Sequence, residues 1–281
     1  MKWMIVTDSS CDLTSLEPES EEIGFDTVPF VMNIDGQEYV DDRNLEVPRM
    51  VDAMEKAERS RSACPSPSAW ESLFQKADRI IALTISSRLS GSYNSAMVGK
   101  SMALEEHPEK KIEVIDSLST GPKLVLQAQL AARMIRAQAS FGEVVEGCRN
   151  LAASARTIFT LSSFHNLVQN GRVSKIAGFL AGRLGIRVIG VGTPEGEIQM
   201  KDLMRGEQRT LKKIVRDMEE NGYRGADMAI SHCMNESLSQ KLKDMIQSRW
   251  AEAKVQILST RGLDSYYAER SGLIVCYPAA T

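Results

Sequence analysis

The sequence predicts an α/β protein of two domains, an N-terminal wound, mostly parallel sheet with helices on both faces and a C-terminal mixed-sheet α/β domain. Three observations carry that expectation. Short apolar runs at 3–7, 80–85 and 111–115 each close on a polar loop followed by a helical pattern, the order expected of parallel strands joined by helices. After about residue 156 this alternation gives way to a hairpin around Thr193-Pro194-Glu195-Gly196. A chain of 281 residues is also long for one core. The expected division is 1–155 and 156–281.

Taken in order, residues 3–7 form a strand that ends at Asp8-Ser9-Ser10-Cys11-Asp12. Residues 25–40 read as a hairpin or edge excursion turning at Asp35-Gly36. A helical face follows over 47–59, with Met50, Met54 and Ala57 on one side, until Pro65 and Pro67 stop helix and strand alike. Ser68 is the expected N-cap of a helix over 69–77. Residues 80–85 form the central strand, and a serine-rich loop from Ser86 to Ser95 opens the next helix. Two alanine- and leucine-rich helices are expected over 120–139 and 141–155.

In the second half, strands are expected over 157–161, 187–192, 197–204, 227–233 and 255–259. Helices are expected over 163–168, 209–221 and 236–250. Ser174 caps an apolar helix through Leu184, and residues 265–277 read as a short helix and a last strand.

The net charge is −3, so no global basic field favours nucleic acid or anionic lipid. Five dispersed cysteines without a Cys-x-x-Cys pair read as reduced thiols of a cytoplasmic protein. No apolar run is long enough to span a bilayer, so stable membrane insertion is not expected. His107, His165 and His232 lack the spacing of a helical metal site, and neither a metal nor a cofactor is expected.

Several motifs fail on context. Gly99-Lys100-Ser101 lies within a helix and lacks the first glycine of a phosphate-binding loop, and no serine occupies a Gly-x-Ser-x-Gly elbow. Asp8, Asp12 and Asp116 at strand ends read as general bases or as solvated caps, with caps the plainer reading. What remains is a set of hydroxyls at Ser62, Ser90 and Ser92 with backbone amides near Gly91, able to hold an anionic head group. The same serines also serve to cap a helix, and Ser90 as nucleophile of a small-molecule phosphoryl or acyl transferase is the alternative from a different class.

Four segments in order resemble the DegV family: Asp8-Ser9-Ser10-Cys11-Asp12-Leu13, Ser62-Ala63-Cys64-Pro65-Ser66-Pro67, Leu89-Ser90-Gly91-Ser92-Tyr93-Asn94-Ser95-Ala96 and Asn170-Gly171-Arg172-Val173-Ser174. The resemblance implies a non-catalytic protein that binds a long-chain fatty acid between two domains and presents its carboxylate to a separate fatty acid kinase catalytic subunit. By the family's motifs Ser62 and Ser90 hold the carboxylate, joined by Gly91 and Ser92. The family's Gly-x-His-x-Gly-Pro-Gly loop is replaced by Ser259-Thr260-Arg261-Gly262-Leu263, so Arg261 is either a bidentate substitute for the histidine or a surface arginine. Arg172 is expected as a partner contact or a helix cap. The apolar stretch Ile176–Leu184 and several methionines are expected to wall the tail.

Overall fold

A computed structural model describes residues 2–18, 21–173 and 185–279. The first strand, β1 (Trp3–Asp8), is paired in parallel by β2 (Ile23–Val28) on one side. Next come β3 (Val31–Ile34) and β4 (Gln37–Val40), an antiparallel hairpin whose turn residues Asp35 and Gly36 both have positive φ, as a two-residue hairpin requires. Helix α1 (Val47–Met54) is followed by β5 (Ser60–Ala63), which pairs with β3 to complete a small three-stranded sheet. That strand was not expected from its polar sequence. It forms because its main chain completes the edge of β3 just before the prolines.

Helix α2 (Pro67–Phe74) begins two residues earlier than its sequence suggests. Ser66, rather than Ser68, accepts the Ala69 N–H, and Pro67 takes the first helical position, where no donor is needed. Strand β6 (Arg79–Thr84), α3 (Ser92–Glu106), β7 (Lys111–Asp116), α4 (Pro122–Arg136) and α5 (Phe141–Ser154) complete the first half. The large sheet there has order β2-β1-β6-β7, all parallel. Alternate residues of its strands face opposite ways. Met4, Val6, Ile80 and Ala82 pack on α2 and α3, whereas Ile5, Ile81 and Leu83 pack on α4 and α5.

Helices α2 and α3 approach closely at Gly99. A Cβ there would lie 2.6 Å from the Pro67 carbonyl oxygen and 2.9 Å from Trp70 Cβ. Both are main-chain or near main-chain atoms that cannot rotate away. Gly99→Ala is therefore expected to destabilise by about 1–3 kcal/mol through overpacking, outweighing the roughly 1 kcal/mol that alanine contributes to helix propensity. Urea unfolding of the variant checks this; equal or higher stability would show that the helices can separate freely.

The second half contains β8 (Ala155–Leu161), α6 (His165–Gln169), β9 (Ile186–Gly192), β10 (Ile198–Arg205), α7 (Glu207–Glu220), β11 (Met228–His232), α8 (Glu236–Arg249), β12 (Val255–Ser259), α9 (Gly262–Ala268) and β13 (Leu273–Pro278). Its sheet order is β10-β9-β8-β13-β11-β12, with only β11 and β12 parallel, so the sheet is mixed. Ile158, Ile189, Ile230 and Val275 turn one face toward α7 and α8. Phe159, Leu161, Val188 and Ile274 turn the other toward a different cluster, built with Phe30, Met32, Met50 and Leu263. This second face is covered by α4 over β11 and β13, and over the rest by the small three-stranded sheet, α1, α6 and α9. The expected tail wall at Ile176–Leu184 and the helix capped by Ser174 lie outside the described residues.

Candidate functional site

The second face of the mixed sheet is not filled completely. Between it and the loops of the parallel sheet runs a cavity that is partly open to solvent. Phe30, Ile85, Leu89, Phe159, Leu161, Leu167, Ile198, Leu263, Ala268 and Ile274 line it with apolar surface. No methionine is among the described lining residues. Ser62, Ser90, Arg172 and Tyr267 supply polar groups to the same cavity.

Ser90 reaches the cavity because the loop from Ile85 to Gly91 is fixed at both ends by one carboxylate. Asp8, at the end of β1, accepts the Ile85 N–H at 2.9 Å and the Ser92 hydroxyl at 2.6 Å. Within the loop the Leu89 and Ser90 N–H groups both donate to the Ser86 carbonyl, and the Ser92 N–H donates to Ser90 Oγ at 3.3 Å. The Ser90 hydroxyl proton is thus left to donate elsewhere. Ser86 Oγ also donates to the Gly196 carbonyl at 2.7 Å, pinning the turn between β9 and β10 against this loop.

Ser62 arrives on β5. Its hydroxyl lies 2.8 Å from the Tyr267 hydroxyl of α9, while Tyr266 donates to Ser60 two residues away on the same strand. Two adjacent tyrosines thereby fasten α9 to the edge of the small sheet. Burial pushes the Tyr267 phenol above its ordinary range, so it remains a neutral hydrogen-bonding group. Arg172 follows α6, donates through Nε to the Leu89 carbonyl at 3.2 Å and through Nη1 to the Asn170 carbonyl, and stacks with its guanidinium 5.9 Å from the Tyr267 ring centre.

Other expected residues are placed elsewhere. Ser92 is fully buried with its hydroxyl committed to Asp8. Gly91 is the N-cap residue of α3, beside Cys64, and does not line the cavity. Arg261 is neither a surface residue nor a cavity-lining one. It is 6% exposed, and its guanidinium donates to the Leu13 carbonyl, Thr27 Oγ1 and the Asp41 carbonyl, with Nε 3.7 Å from Asp41 Oδ1. A group so engaged has little left with which to grip a ligand. Arg261 instead ties the start of α9 to the loops after β1 and β4.

The expected solvated caps also need correction. Asp8 and Asp12 are buried, whereas Asp116 caps a turn by accepting the Ser87 and Leu118 N–H groups. Asp12 accepts the Arg261 N–H, and Asp41 accepts those of Gly262 and Leu263. Asp264 accepts the Thr120 hydroxyl at 2.5 Å. One oxygen of Asp12 and one of Asp264 have no hydrogen-bond partner, and both face the main chain at Gly121, where φ is +56°. A Cβ at Gly121 would meet both, the Asp12 oxygen at 3.0 Å, so the position tolerates no side chain. Burial raises the Asp12 carboxyl to about 7, with the nearby Asp41 charge adding to the rise. Burial and then the Asp12 charge push Asp264 well up.

Among the described residues no group of three or more His, Cys, Asp or Glu is placed to hold a metal ion, and no helix is long and apolar enough to cross a membrane. All five cysteines are unpaired.

A parallel-sheet domain and a mixed-sheet domain that enclose an apolar slot with a polar end define an α/β protein built around an internal cavity. The family model described as "Uncharacterised protein, DegV family" matches residues 2–268. The chain belongs to the DegV family. A DegV domain-containing protein of Streptococcus pyogenes serotype M1 is 37% identical over 278 residues, covering 99% of both chains. The Fatty Acid Kinase (Fak) B3 protein of Streptococcus pneumoniae, solved loaded with linoleic acid, superposes with a TM-score of 0.96 at 35% identity, over 100% of both chains. A DegV family protein of Eubacterium eligens, solved loaded with heptadecanoic acid, gives a TM-score of 0.94 at 37% identity, over 99% of this chain and 100% of that one.

Proposed function

We propose that this chain binds one long-chain fatty acid, with its tail in the apolar cavity and its carboxylate at Ser62 and Ser90, and presents it to a separate kinase. The observation that supports this most is the cavity itself, whose apolar side chains share one space with the hydroxyls of Ser62 on β5 and Ser90 in the loop before α3. Each methylene removed from water contributes about 0.8 kcal/mol, so a long tail dominates affinity and the hydroxyls set orientation. In this reading residues 1–155 form the domain bearing both serines, and residues 156–281 the domain whose sheet faces the tail.

The fatty acids bound by the S. pneumoniae and E. eligens proteins support the same ligand class at identities of 35% and 37%. The kinase step rests on the S. pneumoniae likeness, and with it the cytoplasmic placement. Ser90 is read as a holding group rather than a nucleophile, since its hydroxyl oxygen accepts a main-chain N–H and no base is bonded to it among the described residues.

Organic extraction of the purified protein followed by mass spectrometry is expected to release a C16–C18 acid in a near one-to-one ratio. Absence of any acid, together with no uptake of added palmitate or oleate, overturns the ligand assignment. Loaded protein mixed with a fatty acid kinase catalytic subunit and ATP is expected to yield acyl phosphate. Acid bound but never phosphorylated removes the kinase step alone.

A further inference from the structure

We propose that Gly190 and Phe159 set the length of acyl tail that the cavity takes. Glycine on β9 lets the Phe159 ring lie across the sheet, and the space this leaves over the ring is room for several methylenes. The proposal rests on the fatty-acid reading above and adds to it a residue pair that lies in none of the four family segments.

On β9, Val188, Gly190 and Gly192 turn toward the cavity, whereas Ile189 and Val191 pack toward α7 and α8. Phe159 of β8 stands opposite Gly190 in the antiparallel pair. A Cβ at Gly190 would lie 2.2 Å from Phe159 Cζ, 2.5 Å from Cε2 and 3.0 Å from the Gln199 carbonyl oxygen of β10. The ring therefore occupies the place that a side chain at 190 would take. Gly190 lies within β9 and its φ is not positive, so its main-chain conformation does not call for glycine. The approach of the ring does.

That seat shapes the cavity, because Phe159 is one of its walls. Displaced by a methyl group, the ring has the β9 main chain beneath it and the Phe164 ring beside it, centres 6.1 Å apart. It then turns toward the unfilled side, which is the cavity. Gly192, two residues on, extends the same opening. It lines the cavity, and a Cβ there would make only an ordinary contact, with Thr157 Cβ at 3.4 Å. A larger side chain at 192 fills the space directly, without moving the ring. Two positions on one strand thus control one volume. Since burial contributes about equally per methylene, a smaller volume penalises long acids and spares short ones.

The test measures dissociation constants of laurate, myristate, palmitate and stearate for wild type, Gly190→Ala, Gly192→Val, Phe159→Leu and the double variant Gly190→Ala/Phe159→Leu, with thermal melts to confirm folding. In wild type, affinity is expected to rise about fourfold per added methylene as far as palmitate or beyond. In Gly190→Ala and Gly192→Val the rise should stop at a shorter acid. The preference for stearate over laurate should fall by about tenfold or more, while laurate affinity changes less than about threefold. Phe159→Leu should keep or raise that preference. The double variant should recover it, because the smaller leucine does not need the glycine seat.

A folded Gly190→Ala that loses every acid equally, or none, shows that Gly190 serves packing alone and overturns the proposal. If that variant does not fold, profiles of Gly192→Val and Phe159→Leu that run parallel to wild type overturn it. If wild type binds none of the acids, the fatty-acid reading itself fails and this proposal falls with it.

Discussion

Replacing Arg261 with methionine is expected to lower the unfolding free energy by about 3–5 kcal/mol, measured by guanidinium titration. The guanidinium is buried against Asp41 and reaches two loops of the first half from the start of α9. Methionine fills much of the same volume but supplies no charge, leaving the Asp41 carboxylate buried without its cation. The two N–H groups of Gly262 and Leu263 that Asp41 also accepts would remain, so the cost falls short of that of an isolated buried charge. A folded variant of unchanged stability, with a selective loss of fatty-acid affinity, would instead return Arg261 to the ligand.

Stability is expected to fall as pH rises from about 5 to about 8, and Asp264→Asn is expected to remove much of that fall. Asp12 and Asp264 are buried with one unpartnered oxygen each, facing the same stretch of main chain at Gly121. Arg261, Asp41 and Asp8 are the other charged groups that act on them. Burial raises Asp8 and Asp41 as well, against several donors apiece, so they share in the pH dependence, and the two carboxyls with an unpartnered oxygen, Asp12 and Asp264, are the pair that Asp264→Asn tests.

Both carboxyls are raised above the unfolded value near 3.8, Asp12 to about 7. Between those values the folded chain holds protons that the unfolded chain has released, so the stabilisation is complete below the unfolded value and is lost as pH rises through the folded one. A displacement of one pKa unit corresponds to about 1.4 kcal/mol, making the loss on the order of a few kcal/mol. Asparagine at 264 keeps an acceptor for Thr120 and offers an N–H toward Asp12 at every pH. Parallel curves of melting temperature against pH for wild type and variant would show that the pair does not share a proton.

Much of the fold was legible because its strands announce themselves by burial. The runs at 3–7 and 80–85 are the two inner strands of the parallel sheet and 111–115 is one of its edges, and Thr193 to Gly196 does turn β9 back as β10. Strand β5 was not legible, since Ser60-Arg61-Ser62-Ala63 has no apolar periodicity and gains its register from β3 alone. Pro65 and Pro67 drew the helix start toward Ser68, although Ser66 is the residue that leaves a proline at the first helical position.

The site divides along the same line. Ser62 and Ser90 could be singled out because their motifs are local, and the structure brings both to one cavity. The depth of Asp8, Asp12 and Arg261 could not be read, because a charged residue at a strand end looks the same in sequence whether water or another loop lies against it. Tyr267 gave no signal beyond an aromatic in a short helix. A tyrosine doublet two residues past an acid, opposite serines spaced by two on a strand, is the pattern that could have found it.

The mixed sheet is backed by two long helices, α7 and α8, on one side, and by α4 over β11 and β13 on part of the other. Over the rest of that other side, Phe159, Leu161 and Ile274 look into the cavity, across a cover that does not close on them completely. An acyl chain lying there would be the missing layer of the protein's own interior rather than cargo on its surface. Folding and loading would then share one free energy, and preparations carrying different acids, or none, should melt at different temperatures without any change in sequence.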